Sequence, residues 1–247
     1  MSGLHMVRLD PDVGRAMAWG VREKLLKPGG DDGYLWHALL AAAFGDLAPK
    51  PFRLVEQNGH RPAYLLGYAN ATEDELRRRA AEFCDPTIAC ALRVSSLAVK
   101  RMPDSFIAGR RLWFELRVRP VVRQTRNGDR RRKREIDVFL HQTRARPDAR
   151  KLSRDAVYTA WLASHFVKGG AALDMIRIVW LRRSAITRRG RARTVQVHGE
   201  KGGGPDACFE GALTVTDPNA FEAMLARGVG RHRAFGFGML LLKPMPQ

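Results

Sequence analysis

Cysteine, acids and long apolar runs are all scarce in this 247-residue chain, and each scarcity excludes something. The three cysteines, Cys84, Cys90 and Cys208, are odd in number and stand at no metal-ligand spacing. That fits buried thiols in a reducing compartment and argues against a disulfide framework. No stretch approaches the ~20 apolar residues that a spanning helix needs. The opening MSGLHMVRLDPD also lacks the basic-then-apolar order of a signal peptide. The expectation is a cytoplasmic protein that makes no use of a membrane. Acids number 25 against 43 Lys and Arg, and they do not gather. Asp31-Asp32, Glu73-Asp74-Glu75 and Asp104 read as caps and solvated turns, so a two-metal site built on clustered carboxylates is disfavoured. The histidines are scattered without zinc spacing, and no nucleophile elbow occurs. No metal and no cofactor is expected.

What the chain has in excess is positive charge, +18 in all, and it is concentrated. Arg117 to Arg154 carries 14 Lys and Arg against 4 acids, and Arg177 to Arg193 carries 7 Arg and no acid. Charge added for solubility would be spread evenly. Basic elements on a nearly neutral scaffold suit a polyanionic partner.

Hydrophobic residues make up 45%, enough for a core. The pattern predicts a strand over Leu4–Leu9, then a helix capped at Asp10-Pro11-Asp12 and running to about Leu26. A second helix is expected over Gly33–Phe44. Phe52–Gln57 and Ala63–Tyr68 read as strands joined at Asn58-Gly59. Thr72 and Glu75 form a capping-box pattern for a helix over Glu73–Phe83, and Thr87–Val99 is apolar enough for a strand. The cycle restarts with strand character over Leu112–Val122, followed by a basic loop at Arg123–Arg134. Glu135–Gln142 fits either period. Ser153–Phe166 reads as a helix, Asp174–Leu181 and Ala207–Val215 as strands, Asp217–Ala226 as a helix and Phe237–Leu242 as a final strand. The fold class expected is α+β, two tandem ferredoxin-like (RRM-like) βαββαβ domains at 1–108 and 109–247 with a C-terminal glycine-rich loop.

That loop is RGVGRHRAFGFGMLLL, Arg227 to Leu242. Gly228 and Gly230 open it, Gly236 and Gly238 close it, and Arg231, His232 and Arg233 lie between. Glycines that bracket cations can form a phosphate cradle, and they serve a tight connection equally well. A dinucleotide fingerprint is excluded, because that motif lies between a strand and a helix, whereas this one lies between a helix and a strand.

The segment CFEGALTVTDPNAFEAMLARGVGRHRAFGFGMLLL resembles the C-terminal signature of the CasE family, CRISPR repeat-processing endoribonucleases of type I-E Cascade. GYLWHALLAAAFG, LWFELRVRPVVR and SRDAVYTAWLASHF resemble the family in the same order, so the likeness touches nearly the whole chain. The resemblance implies tandem ferredoxin-like domains and metal-independent cleavage of precursor RNA at a repeat stem-loop. It also implies that the protein stays on the crRNA 3′ hairpin as a Cascade subunit beside other Cascade subunits. The family's helix histidine and the tyrosine one turn earlier match His37 and Tyr34. Two features depart from the pattern: the stretch from Asp10 to Asp32 is longer than in compact members, and Arg119 stands before Pro120.

RNA carries its own nucleophile, the 2′-hydroxyl, so cleavage needs only proton transfer and charge stabilisation. A histidine suits the first task, its unperturbed pKa being about 6.5. Three residues apart on a helix, Tyr34 and His37 share a face and can flank one phosphodiester. A lone histidine on an apolar helix is equally at home as a half-buried structural residue, and Tyr34 as a core aromatic. A cation must meet the charge of the transition state. Lys201, among glycines, is the candidate, with Arg231 and Arg233 as alternatives and a solvated loop lysine as the plain reading. Arg182, Arg183, Arg188, Arg189, Arg191 and Arg193 read as binders of an RNA stem, where recognition falls on phosphates and shape. Two other functions fit the same charge map: an RNA-hairpin-binding structural subunit that does not cleave, and a general basic RNA-binding protein.

Overall fold

A computed structural model describes residues 3–28, 30–56, 62–126, 129–145, 152–189, 195–198 and 203–245. In the N-terminal half, β1 (His5–Leu9) alternates buried and accessible positions. Asp12 then accepts the Arg15 N–H at 3.0 Å and starts α1 (Val13–Arg22). This helix ends short of Leu26, because Lys24 turns into the left-handed region at φ 55°. The next helix, α2 (Gly33–Phe44), has Leu35, Trp36, Leu39, Leu40, Ala43 and Phe44 buried and is apolar nearly all round, as a helix packed on several sides must be. Asp32, just before it, accepts the Trp36 indole N–H at 2.8 Å. Strands β2 (Phe52–Val55) and β3 (Tyr64–Ala69) pair antiparallel. The expected Asn58-Gly59 turn between them lies outside the described residues. The capping box of Thr72 and Glu75 is present at the start of α3 (Glu73–Phe83).

One expected strand is mostly helix. Residues 87–99 form α4 (Pro86–Leu92), a 3-10 turn at Val94–Ser96 and only then β4 (Ala98–Arg101). Asp85 caps α4 by accepting the Thr87 N–H at 2.7 Å, and Arg93 ends it at φ 47°. Ile88, Ala91 and Leu92 are buried, and a short apolar run reads alike in a buried helix and a strand. The four strands form one antiparallel sheet in the order β2-β3-β1-β4, the ferredoxin-like order.

The second half repeats it. β5 (Arg111–Val118) alternates strictly and stops before Pro120. The segment expected as a basic loop is instead a hairpin of β6 (Val121–Arg126) and β7 (Asp129–Asp137), and Glu135–Gln142 divides between the end of β7 and α5 (Val138–Ala145). Ser153 caps α6 (Arg154–Lys168). Then come β8 (Ala171–Ser184), the small pair β9 (Ile186–Arg189) and β10 (Val195–His198), and β11 (Gly204–Val215). The chain closes through α7 (Pro218–Arg227), a 3-10 turn at Arg233–Phe235 and β12 (Leu240–Lys243). The final strand starts later than Phe237 because Gly238, at φ 79°, donates its N–H to Arg117 O at 2.7 Å. The sheet order β12-β5-β11-β8 is the first sheet's order again, so the fold is tandem ferredoxin-like.

One apolar core lies wholly in the N-terminal half, the other is centred on the second half and takes in Tyr68 of β3, and polar contacts also link the two sheets. The Tyr68 hydroxyl on β3 donates to Leu240 O at 2.9 Å. Arg53 on β2, almost fully buried, reaches Glu115 on β5 at 2.5 Å.

Candidate active site

Four features singled out in the sequence meet along the seam between the halves. The first is α2. His37 lies half-buried on it, 6.0 Å from the Tyr34 ring. Burial first, and then the nearby Lys50 ammonium, hold the His37 imidazole below its ordinary pKa.

The glycine-rich loop is the second feature, and it folds onto α2. Gly228, Gly230, Gly236 and Gly238 all have φ between 72° and 80°, a region that favours glycine. Val229 N–H donates to Gly238 O at 2.8 Å, pinching the loop shut. The 3-10 turn at its tip presents Phe235 edge-on to His37, ring centres 5.4 Å apart, and 6.0 Å from Tyr34. A Cβ on Gly33 would lie 2.3 Å from Phe235 O, so only glycine permits this approach of helix and loop.

The basic hairpins supply the remaining two features. At the base of β6–β7, Glu135 accepts from Arg231 Nε at 2.5 Å and lies 2.6 Å from His232 Nε2. Burial would raise the Glu135 pKa, but His232 and then Arg231 pull it down to about 2. At the base of β9–β10, Gly30 bridges to Ala185, Asp31 N–H donates to Ala185 O at 2.8 Å, and Thr187 Oγ1 donates to Asp31 O at 3.3 Å. The segment that leads into α2 is thus fixed to the root of this hairpin.

Behind the hairpin root lies a charged cluster. Asp206, fully buried, takes both Arg117 donors at 2.9 and 2.7 Å and Arg182 at 3.1 Å. Arg119 donates to Ser184 O at 2.9 Å and stacks over Phe237. The Asp31 carboxyl is buried with no hydrogen bond and its nearest cation, Arg117, at 4.0 Å; burial is the main cause of a pKa raised to about 6.

The residues nominated from sequence therefore fall into three groups. His37, Tyr34 and the four loop glycines come together. Arg231 is held by Glu135, Arg233 donates to Arg227 O at 2.8 Å, Arg182 is held by Asp206 and stacks 4.6 Å over Trp180, and Arg183 donates to Gly203 O. Arg188 and Arg189 lie on β9, while Lys201, Arg191 and Arg193 lie outside the described residues. Sequence reasoning passed over Phe235, Glu135 and Lys50. The first stood inside the glycine motif and the second ended a run of five basic residues, so both had a signal. Lys50, before Pro51, had none. Among the described residues no three His, Cys, Asp or Glu group as a metal site would, and no helix is long and apolar enough to cross a membrane.

Several solved structures share this fold over nearly the whole chain. Cse3 of Thermus thermophilus, bound to an RNA that represents a pre-cleavage complex, is 21% identical with TM-score 0.63, covering 98% of this chain and 100% of that one. Cas6e of Escherichia coli K-12 is 18% identical with TM-score 0.56, covering 98% and 99%. A chain of a CRISPR RNA-guided surveillance complex in a pre-nicking state is 14% identical with TM-score 0.55, covering 98% and 100%. No curated protein sequence is detectably similar to this one. A family model described as "CRISPR associated protein" matches residues 4–244, end to end across both sheets and the seam between them, and the chain belongs to that family.

Proposed function

We propose that the protein is a metal-independent endoribonuclease that cuts CRISPR precursor RNA at the repeat stem-loop. It then remains on the crRNA 3′ hairpin as a cytoplasmic subunit of a Cascade-type complex. In this reading residues 1–108 form the unit that carries the acid–base histidine, and 109–247 the unit with the basic arms and the glycine-rich loop. The carrying observation is the position of His37, on a helix that touches the loop tip and whose lead-in is fixed to the root of a basic hairpin. The similar folds of the CRISPR endoribonuclease Cse3, bound to a 19-nt RNA, and of a chain in a CRISPR RNA-guided surveillance complex support the same reading.

The chemistry needs no outside reagent. The 2′-oxygen attacks phosphorus as its proton passes to His37, the bond from phosphorus to the 5′-oxygen breaks, and that oxygen leaves with a proton from solvent. The products are a 2′,3′-cyclic phosphate and a 5′-hydroxyl. Since burial and Lys50 favour the neutral imidazole, His37 is suited to receive the proton at neutral pH. Tyr34 shares its face and positions the phosphodiester. Arg188, Arg189, Arg191 and Arg193 hold the stem, Arg182 and Arg183 brace the root of that arm through Asp206 and Gly203 O, and the loop, with Arg231 and Arg233, borders the cut.

A single-turnover cleavage assay on the repeat RNA from the same genome, with EDTA present, tests this. Wild type should cut at one position and His37→Ala should bind without cutting. Cleavage that requires a divalent metal sinks the mechanism. Intact RNA tightly held by both proteins means a structural hairpin-binding subunit, and equal affinity for scrambled RNA a general RNA binder.

A further inference from the structure

Beside His37 opens a cleft of about 400 Å³ whose walls include Lys50, Phe52, Tyr68, Asn70 and Ala234. It is large enough for a nucleotide, and it is bounded by β2, β3, α2 and the loop tip. Lys50 is exposed at its side. Its backbone is fixed on both flanks: Lys50 N–H donates to Tyr68 O at 2.7 Å, and Tyr68 N–H donates to Pro51 O at 2.9 Å. Its ammonium has no carboxylate partner among the described residues, since Asp46, the acid of the same cleft, is taken by Arg79 at 2.8 Å.

We propose that Lys50 is a catalytic residue, the cation that meets the scissile phosphate in this cleft while His37 takes the proton. The inference rests on the nuclease reading above. Transition-state charge gathers on the non-bridging oxygens and calls for a preorganised cation within reach of the same phosphate as the base. The nominated arginines of the loop are engaged, Arg231 with Glu135 and Arg233 with a main-chain carbonyl. Lys50 shares a cleft with His37 and is close enough to lower its proton affinity. Lys50 acts through its charge alone, and no bond to it forms or breaks.

The test uses the full-length protein and the repeat stem-loop RNA, with 2′-deoxy substitution at the cut for binding measurements. Lys50→Ala should slow single-turnover cleavage at saturating protein by about 100-fold, with the Kd for uncleavable RNA and the melting temperature nearly unchanged. Lys50→Arg should restore most of the rate. The acidic limb of the pH–rate profile should also move up in Lys50→Ala, because one of the two causes holding His37 down is gone. The other ionisable groups around His37 stay constant in that comparison: Tyr34 on its own helix, Asp46 with Arg79 in the cleft, and, across Phe235, His232 with Glu135. If Lys50→Ala cuts at the wild-type rate while His37→Ala is dead, Lys50 is not the cation and the nuclease reading stands. A rate loss that merely follows a Kd loss likewise overturns the catalytic role. If wild type fails to cut, both fall together.

Discussion

His37 and Asp31 are six residues apart, and burial pushes both pKa values toward the uncharged form, the imidazole down and the carboxyl up. For His37 the consequence is kinetic. A base with a depressed pKa is ready at pH 7 and is lost only as protons are added, so the single-turnover rate should be flat above pH 7 and fall only on the acid side, with its midpoint below the ordinary imidazole value. A rate that falls on the alkaline side instead would make His37 the acid. For Asp31 the consequence is stability. Its folded pKa of about 6 lies above the ordinary aspartate value of 3.8, so the folded state holds the proton more tightly and the ionised form is the costly one at neutral pH. A shift of that size corresponds to about 2–3 kcal/mol at most. Asp31→Asn should therefore stabilise the protein at pH 7.5, with the advantage shrinking as pH falls through 6 and wild type takes up its proton. Urea denaturation of both proteins at pH 7.5 and 5 measures this, and an equal difference at the two pH values would refute it.

Among the elements, α2 and the glycine-rich loop depend on each other through Gly33. Glycine inside a helix is about 1 kcal/mol worse than alanine, so on propensity alone Gly33→Ala should help. The added Cβ would instead meet Phe235 O at 2.3 Å, and neither atom belongs to a flexible side-chain end. Gly33→Ala is expected to lower the melting temperature by several degrees and to slow cleavage by displacing Phe235 from His37. A variant more stable than wild type would overturn the contact. The elements themselves were largely legible: Asp12, Thr72, Ser153 and Asp217 all cap the helices that their sequence positions implied. α4 was misread because Ile88, Ala91 and Leu92 lie in a short apolar segment that fits both periods. The β6–β7 hairpin was misread because a run of like charge masks the strand pattern. Of the candidate site, His37 and the loop glycines stood out locally. Lys50 and the Asp206 cluster did not, since both depend on residues far apart in sequence that only the seam brings together.

Over the whole molecule the charge map and the cross-links define two separable tasks. Nearly all of the +18 lies between Arg117 and Arg193, yet some cations are spent internally: Asp206 holds Arg117 and Arg182, and, beyond that span, Glu135 holds Arg231. Cations already paired release few counterions when RNA binds, whereas those facing phosphate make affinity fall steeply with salt. Removing Arg188 and Arg189 together should therefore flatten the slope of log K against log salt by about 1–2, at ~0.7–0.9 per phosphate contact. Arg231→Gln should leave the slope almost unchanged and lower stability instead, because Glu135 is then held by His232 alone. Fluorescence anisotropy between 50 and 300 mM salt, paired with thermal melts, separates the two. A slope change from Arg231→Gln as large as that of the double variant would mean that the loop arginine leaves Glu135 for RNA, and that binding remodels the seam.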